Sequence, residues 1–264
     1  MNITGIIPAG GRASRISPLP CSKEIIPMGF RKMPDGSKKP KVVSHYLLEK
    51  YKKGGADRTF FILKPGKWDI PAYYLDGKAV NMPLAYLTMD LPYGVPYTID
   101  QAYSFVKEDL IMLGFPDILF KEKKAFQQKK EALKEYKADI ILGLFPVTGQ
   151  KQAQKCDMVS WDKSTKSINQ IIIKPNETKL DKCWLTALWK PAFTDFMHQF
   201  LKEDLTMRKL NPNLPELFMG HVIQAAMQSN LVVRGIYFEN ENYIDIGTPD
   251  DFAKAQNGYL TDAY

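Results

Sequence analysis

Along the chain, short apolar runs alternate with longer amphipathic stretches. Residues 3–7 form an apolar run that stops at Pro8, and residues 42–53 carry apolar side chains at helical spacing before the pair Gly54-Gly55. A short apolar run predicts a buried strand, and an amphipathic stretch with a glycine stop predicts a helix. The same alternation predicts further strands at 58–63, 110–114 and 139–145, and helices at about 99–107 and 121–137.

Past residue 150 the alternation is less regular. The sequence there predicts strands at 158–161, 167–173 and 231–238 and helices near 192–203 and 214–229. Strands that alternate with helices favour a mostly parallel sheet covered by helices on both faces. We find no internal repeat or linker, so we expect one domain over residues 1–264, a length that can bury a large core.

The composition is typical of a soluble globular protein, with 45% hydrophobic and 25% charged residues. The formal net charge of +7 would attract an anionic partner, but it does not distinguish a nucleotide from nucleic acid or lipid. The basic residues are scattered, and the lysine-rich helix at 121–137 has apolar side chains to bury, so its charges are interpreted as a solvated face. We therefore expect no nucleic-acid partner.

The three cysteines, Cys21, Cys156 and Cys183, show no paired spacing, which argues against a disulfide framework and a cysteine zinc site. The N-terminal residues lack a basic signal-peptide region, and no stretch approaches the roughly 20 apolar residues that a membrane span needs. We expect a cytoplasmic protein without a membrane partner. Formation of a homo-oligomer is left open.

A glycine-rich segment follows the first predicted strand and comprises Ala9, Gly10 and Gly11. Glycines let the backbone approach a ligand closely, and consecutive amide N–H groups can form a nest for phosphates. Three cations follow within a few residues: Arg12, Arg15 and Lys23. This arrangement suits a nucleoside triphosphate, although a plain turn with solvent-facing arginines explains the segment about as well. The residues of the standard dinucleotide and P-loop motifs are absent from it.

Two aspartates in apolar surroundings are candidate ligands for Mg²⁺, which proteins often bind through one or two carboxylates together with substrate phosphates. Asp117 follows the predicted strand 110–114, and Asp245 lies inside a later apolar stretch. A strand end at the carboxyl edge of an open α/β sheet is a usual ligand position. For either aspartate alone, a turn or helix-capping role is the favoured interpretation.

Residues 9–15, with Pro18-Leu19, Lys23 and residues 25–28, resemble the signature of the sugar-1-phosphate nucleotidyltransferases, which include glucose-1-phosphate thymidylyltransferases and uridylyltransferases. The resemblance implies a Rossmann-like, GT-A-like α/β fold with a mixed, mostly parallel sheet flanked by helices. It also implies that the loop wraps a triphosphate while Arg15 and Lys23 stabilise the departing pyrophosphate. The chain departs from the family at Ala13 and Ser14, and its Arg-to-Lys spacing is two residues shorter.

Three further segments resemble family blocks in the expected order. Residues 113–117 and 243–249 resemble the two metal-binding blocks, which implies that Asp117 and Asp245 hold Mg²⁺, although Tyr243 replaces a tryptophan. Residues 97–102 fall where the family has Gly-x-Ala-Gln-Ala. The resemblance implies that Gln101 reads a pyrimidine base and favours dTTP or UTP, with a surface helix glutamine as the alternative.

The acceptor side departs most from the family. Lys174-Pro175 matches the end of a Glu-Lys-Pro block, which implies that Lys174 contacts the sugar phosphate, but Ile173 replaces the glutamate that grips sugar hydroxyls. Residues 155–159 and 185–189 also differ, which suggests an acceptor other than glucose 1-phosphate. Asp157 is a candidate replacement for the glutamate, with a plain loop aspartate as the alternative.

The resemblance implies Mg²⁺-dependent transfer of a nucleotidyl group from a nucleoside triphosphate to a sugar 1-phosphate, by in-line attack on the α-phosphorus. Two alternatives stay open. One is cytidylyl transfer to a non-sugar phosphate such as phosphocholine, and the other is a non-catalytic nucleotide-sugar-binding protein. We expect no second, C-terminal enzymatic domain, because the chain stops soon after the late metal block.

Overall fold

The structure is a computed structural model that describes residues 1–11, 13–33, 35–91, 93–240 and 242–259. Its strands are β1 (Ile3–Ala9), β2 (Pro27–Lys32), β3 (Lys38–Val42), β4 (Arg58–Leu63), β5 (Leu84–Thr88), β6 (Leu110–Gly114), β7 (Ile118–Phe120), β8 (Ile140–Pro146), β9 (Asp157–Trp161), β10 (Ile168–Ile173), β11 (Lys182–Trp189), β12 (Val233–Tyr237) and β13 (Tyr243–Asp245). Its helices are α1 (Val43–Gly54), α2 (Asp69–Tyr74), α3 (Val95–Asp100), α4 (Tyr103–Val106), α5 (Ala125–Glu135), α6 (Gln150–Ala153), α7 (Pro191–Leu210), α8 (Met219–Gln228) and α9 (Pro249–Tyr259).

Among the described residues, nine strands form one central sheet in the order β10-β9-β11-β6-β1-β4-β5, with β8 pairing with both β11 and β12. β1 runs parallel to β4 and β6, and β4 parallel to β5, as expected for strands joined by helical crossovers. β11 runs antiparallel to β6 and β8 and joins this parallel part to the other strands. The predicted mixed α/β sheet with a parallel centre is confirmed.

Both faces of the sheet are covered. Ile6 and Ile7 point to opposite faces of β1, and each is at most 1% exposed in its own hydrophobic cluster. Helices α3, α7 and α8 pack together on one face, while α1 and α5 pack together on the other. Every helix within the described part of the chain is too short or too polar to cross a lipid bilayer.

The pairing of the strands decides where the chemistry-bearing loops meet. β1 and β6 are parallel, so the glycines that follow β1 and residues 115–117 that follow β6 emerge at the same edge of the sheet. β7 and β13 form a separate two-stranded ribbon in which Asp245 lies opposite Ile118. The ribbon brings the late segment 243–249 beside residue 117.

Several elements differ from the sequence-based expectation. The first strand continues through Pro8 to Ala9, and since β6 pairs with β1 only as far as Ile6, Pro8 lies where the strand has one partner instead of two. The helix expected at 99–107 is two shorter helices, α3 and α4. α3 begins earlier because Gly94, at φ +118°, and Pro96 in the first turn set its start.

Candidate active site

The glycine loop after β1 faces open space. A Cβ added at Gly11 would meet no atom within 4 Å, and one added at Gly10 would meet Thr98 Oγ1 at 3.8 Å. Ala9 is buried and anchors the loop to the sheet. Ala13 adopts a left-handed φ of 52°, and its carbonyl accepts hydrogen bonds from the Ile16 and Ser17 amides, so the loop turns back sharply. Arg12 lies outside the described residues.

Lys23 is the cation that the structure places against a carboxylate at the sheet edge. Its ammonium donates to Asp117 Oδ2, and the two side chains are 13% and 18% exposed. Burial of the ammonium opposes its charge, but Asp117 and Asp245 outweigh burial and raise the pKa of Lys23. Lys23 is therefore protonated at neutral pH.

Asp117 and Asp245 lie close together across the β7–β13 ribbon. The Ile246 amide donates to the Asp117 carbonyl at 3.1 Å, and the Gly247 amide donates to Asp245 Oδ1 at 2.9 Å. Burial and, after it, the charge of Asp117 raise the pKa of Asp245, while Lys23 and Arg15 act in the opposite direction. Two carboxylates repel each other unless a cation balances them.

This carboxylate pair fits Mg²⁺. In the described part of the chain, no group of three or more His, Cys, Asp or Glu side chains could hold a metal ion unaided. Mg²⁺ is commonly held by one or two carboxylates, with substrate phosphates and water completing its coordination. Asp117 and Asp245 supply that donor set beside the loop that faces open space.

Arg15 reaches the same cluster from the glycine loop. A Cβ added at Gly247 would lie 2.8 Å from Arg15 Nη2 and 3.0 Å from Asp245 Oδ1, so a glycine at this position leaves room for the guanidinium. Thr248 and Pro249 then start α9, because Thr248 Oγ1 accepts from the Asp251 amide at 3.3 Å and Pro249 takes the first helical position. The Gly-Thr-Pro segment thus has a steric and a capping role.

Two partly buried contacts hold the segment that carries Lys23. Ser22 donates from its amide and its hydroxyl to Asp69, at 2.6 and 2.7 Å. Glu24 is 1% exposed and accepts from Lys67 Nζ at 2.6 Å; burial raises the pKa of Glu24, and Lys67 acts against that rise. The sequence analysis missed Lys67 and Asp69, although two charged residues just after the Pro65-Gly66 turn of a buried strand were a usable signal.

A cavity of about 730 Å³ opens beside the carboxylate pair. Asp117 and Asp245 form one side of it. Another part of its wall is built from the start of β9, the residue after β10, β11 and the start of α8, and includes Asp157, Lys174, Trp184 and Phe218. A concave site with apolar walls and a few charged groups is the usual form of a small-molecule site.

Lys174 projects into this cavity from the end of β10. Its backbone is left-handed, with φ 39°, and its ammonium lies 3.9 Å from the centre of the Phe218 ring. The structure therefore brings Lys174 into the same cavity as Asp117 and Asp245, as the sequence-based assignment requires.

Gln101 is not brought to this group of residues. It is exposed at the end of α3, and its amide donates to the Tyr97 carbonyl at 3.4 Å. Thr98, which is 7% exposed, is the α3 residue beside Gly10. Residues 94–98 have the spacing of the family segment Gly-x-Ala-Gln-Ala, with Tyr97 at the glutamine position. The Tyr97 hydroxyl donates to the partly buried Asp204 at 2.6 Å. The glycine at 94 was the signal for this register.

Comparisons with known proteins agree with this fold. The model of the nucleotidyl transferase family matches residues 4–262. No curated protein sequence is similar enough to the chain to be matched. Three solved structures share its fold at low sequence identity.

The first is a protein of Bacillus anthracis assigned as a glucose-1-phosphate thymidylyltransferase and determined with sucrose, with 17% identity and a TM-score of 0.79 over 99% of this chain and 97% of its own. The second is a UDP-glucose pyrophosphorylase complexed with UDP-glucose, with 14% identity and a TM-score of 0.77 over 98% of both chains. The third is the UTP-bound UGPase of Acinetobacter baumannii, with 15% identity and a TM-score of 0.76 over 98% of this chain and 93% of its own.

Proposed function

Because the chain belongs to the nucleotidyl transferase family, we propose that it transfers a nucleotidyl group from a nucleoside triphosphate to a sugar 1-phosphate in a Mg²⁺-dependent reaction. The products are an NDP-sugar and pyrophosphate. The observation that carries the proposal is the meeting of Lys23, Asp117 and Asp245 beside the open glycine loop. We favour dTTP or UTP as the donor, in keeping with the UTP-bound and UDP-glucose-bound structures of the same fold.

In the proposed reaction, an oxygen of the acceptor phosphate attacks the α-phosphorus, and the bond between the α-phosphorus and the bridging oxygen to the β-phosphate breaks. Negative charge then builds on the leaving pyrophosphate. The loop amides at Gly10 and Gly11 and the cations Arg15 and Lys23 stabilise this charge, because they are fixed in place before it develops. When bound at Asp117 and Asp245, Mg²⁺ would withdraw charge from the phosphate oxygens that it contacts.

The acceptor needs little chemical activation. Its phosphate oxygen is already anionic at neutral pH, so the protein contributes mainly by holding the two substrates in line. Lys174, which lines the same cavity as Asp117 and Asp245, would draw the acceptor phosphate into it.

Pyrophosphate release tests the proposal. The protein is incubated with Mg²⁺ and each of dTTP, UTP, CTP, ATP and GTP against a panel of sugar 1-phosphates and phosphocholine. We expect release that needs one nucleotide and one acceptor together and that Asp117→Ala abolishes. Release with CTP and phosphocholine alone would establish the cytidylyltransferase alternative. Silence across the panel with nucleotide binding intact would contradict the proposal and favour a nucleotide-sugar-binding protein.

A further inference from the structure

Asp157 is a cavity carboxylate to which the transfer reaction itself assigns no task. It opens β9, is 9% exposed, and lines the cavity on the acceptor side. In the β9–β10 ladder its Cα partner is Ile173, and Lys174 follows directly. The acidic group of this wall therefore lies on β9, opposite an apolar residue on β10.

The neighbouring helix leaves space for this arrangement. A Cβ added at Gly220, in the first turn of α8, would lie 2.6 Å from Asp157 Oδ2 and 2.3 Å from Ile173 Cδ1. Any side chain at position 220 would push both groups out of place. The glycine, the isoleucine and the aspartate thus form one packed unit at the base of the wall.

Burial makes the ionised form of the Asp157 carboxylate energetically unfavourable. Burial raises its pKa to about 6, although the charge of Lys174, the Gly220 amide and the Trp184 indole N–H act against the rise. Its polar contacts are the Gly220 amide and the Trp184 indole, and it forms no ion pair with a lysine, arginine or histidine among the described residues. A buried carboxylate without an ion-pair partner destabilises the fold, and such groups are found where function requires them.

We propose that Asp157 binds a positively charged amino group, so that the acceptor is an ammonium-bearing phosphate, with an amino sugar 1-phosphate as the form that the proposed function requires. This inference rests on the proposed function. When the acceptor phosphate engages Lys174, Asp157 loses the cation that now offsets its charge, and an ammonium on the same acceptor replaces it. A neutral hydroxyl can donate a hydrogen bond but leaves the buried charge unbalanced.

The aromatic walls fit the same acceptor. Phe115 and Trp184 lie with ring centres 6.1 Å apart, and Phe218 already carries the Lys174 ammonium on its ring face. Aromatic faces accept the C–H surface of a sugar ring and also attract cations. This wall therefore presents a carboxylate from Asp157, an ammonium from Lys174 and aromatic surface between other lining groups. Such a wall is complementary to an acceptor that carries both an ammonium and a phosphate.

Matched acceptor pairs test this inference with the full-length protein. Glucosamine 1-phosphate is compared with glucose 1-phosphate and N-acetylglucosamine 1-phosphate, and phosphoethanolamine with glycerol 3-phosphate, each with Mg²⁺ and the best nucleotide. We expect kcat/KM for the amino acceptor to exceed that of its neutral partner by about tenfold or more. Preference for phosphoethanolamine over every sugar would support Asp157 recognition while overturning the sugar part of the proposed function.

Two variants assign the preference to the residue. Asp157→Asn should reduce the amino preference to within about threefold, with little change for the neutral acceptor. Glu216→Gln is the matched control, because it removes an exposed carboxylate from the same cavity, and it should retain the preference. A wild-type enzyme that prefers the neutral acceptors, or an Asp157→Asn enzyme that keeps the amino preference, would overturn the inference.

A binding titration separates the two proposals. In the presence of the nucleotide, acceptor binding is followed by calorimetry for the wild type and Asp157→Asn. If no pyrophosphate is released but glucosamine 1-phosphate binds more tightly than glucose 1-phosphate, and only to the wild type, then the recognition by Asp157 holds and the transfer reaction fails. Equal binding of both sugars to both proteins would overturn the role of Asp157, whatever the turnover.

Discussion

Lys23 keeps its positive charge because two carboxylates lie around it, and that charge is what a departing pyrophosphate needs. We expect Lys23→Met to lower kcat by about 100- to 1000-fold with a smaller effect on nucleotide affinity, since its main contribution develops in the transition state. Steady-state pyrophosphate release with the preferred substrates measures the change. Lys179→Met, which removes an exposed lysine outside the cavity, is the control and should behave as the wild type.

A second prediction at the residue scale concerns Asp157 and stability. Its pKa of about 6 in the folded state lies above the value near 4 expected in the unfolded chain, so the folded state binds more protons between these values. The free energy of unfolding therefore falls as pH rises through that window, with Lys174 as the neighbouring charge that moderates the effect. Asp157→Asn should be more stable than the wild type by about 2 to 3 kcal/mol at pH 8.

Urea unfolding at pH 8 and at pH 4 checks this sign. The stabilisation should be present at pH 8 and nearly absent at pH 4, where the wild-type carboxyl is protonated in the folded state. If Asp157→Asn is less stable than the wild type at pH 8, the carboxylate stabilises the fold through its own contacts, and the prediction is wrong.

At the scale of elements, the start of α3 is fixed by contact with the segment before α8. A Cβ at Gly94 would lie 2.1 Å from the Leu217 carbonyl oxygen, and the φ of +118° disfavours any side chain there. We expect Gly94→Ala to lower the free energy of unfolding by about 3 kcal/mol or more, because both a clash and backbone strain oppose it.

Gly66→Ala is the matched control for this prediction. Gly66 also has a positive φ, +97°, but a Cβ there would meet nothing within 4 Å. Its cost should be limited to the strain of the left-handed backbone, about 1 kcal/mol. Chemical unfolding of both variants separates the steric part from the conformational part, and equal losses would contradict the close approach of α3 to Leu217.

Elements were predictable where the pattern is local. β1, α1, β4, β6 and β8 each carry their own apolar period, and the sequence located them within about two residues. β5, β11 and the β7–β13 ribbon were not predicted as strands, because they form through pairing with distant strands. α3 was placed too late because Gly94 and Pro96, which start it, were not weighed as helix signals.

The site residues were likewise predictable where the signal is a short local segment. Lys23, Asp117 and Asp245 were identified from short ordered segments, and the structure brings them together. Lys67 and Thr98 contribute through contacts between segments far apart in sequence, so the local signals beside them, the Pro65-Gly66 turn and Gly94, could not indicate those contacts. The assignment of a base-reading role to Gln101 has no support from its exposed position at the end of α3.

At the scale of the whole molecule, the site lies between a parallel part and an antiparallel part of the central sheet. The glycine loop and Asp117 follow the parallel strands β1 and β6, while Asp157 starts β9 and Lys174 follows β10, which pairs antiparallel with β9. Parallel strand ends converge at one edge and suit phosphate binding, whereas the antiparallel part supplies one side wall. Under the proposed function, changes on β9 and β10 would therefore alter acceptor binding without disturbing nucleotide binding.

Ligand binding across both parts should raise the stability of the whole chain. We expect a nucleotide at 100 times its Kd with Mg²⁺ to add about 2.7 kcal/mol to the free energy of unfolding. Removal of the metal with EDTA should remove most of this gain, since Asp117 and Asp245 then repel the phosphates. Thermal denaturation measures the effect. Asp245→Asn should lose the Mg²⁺-dependent part, and an equal gain with and without Mg²⁺ would contradict the carboxylate pair as the metal site.

The β7–β13 ribbon also has a consequence for the folding of the enzyme during its synthesis. Asp117 and Asp245 are separated by more than a hundred residues of chain, and the intervening segment contains the acceptor wall. A nascent chain emerging from the ribosome can complete its glycine loop early, but it holds half of the carboxylate pair until residues 243–245 have been translated and paired. Under the proposed function, turnover is thereby delayed until residues 243–245 have been synthesised and paired, and a chain cut before the ribbon closes would not hold Mg²⁺ between two carboxylates.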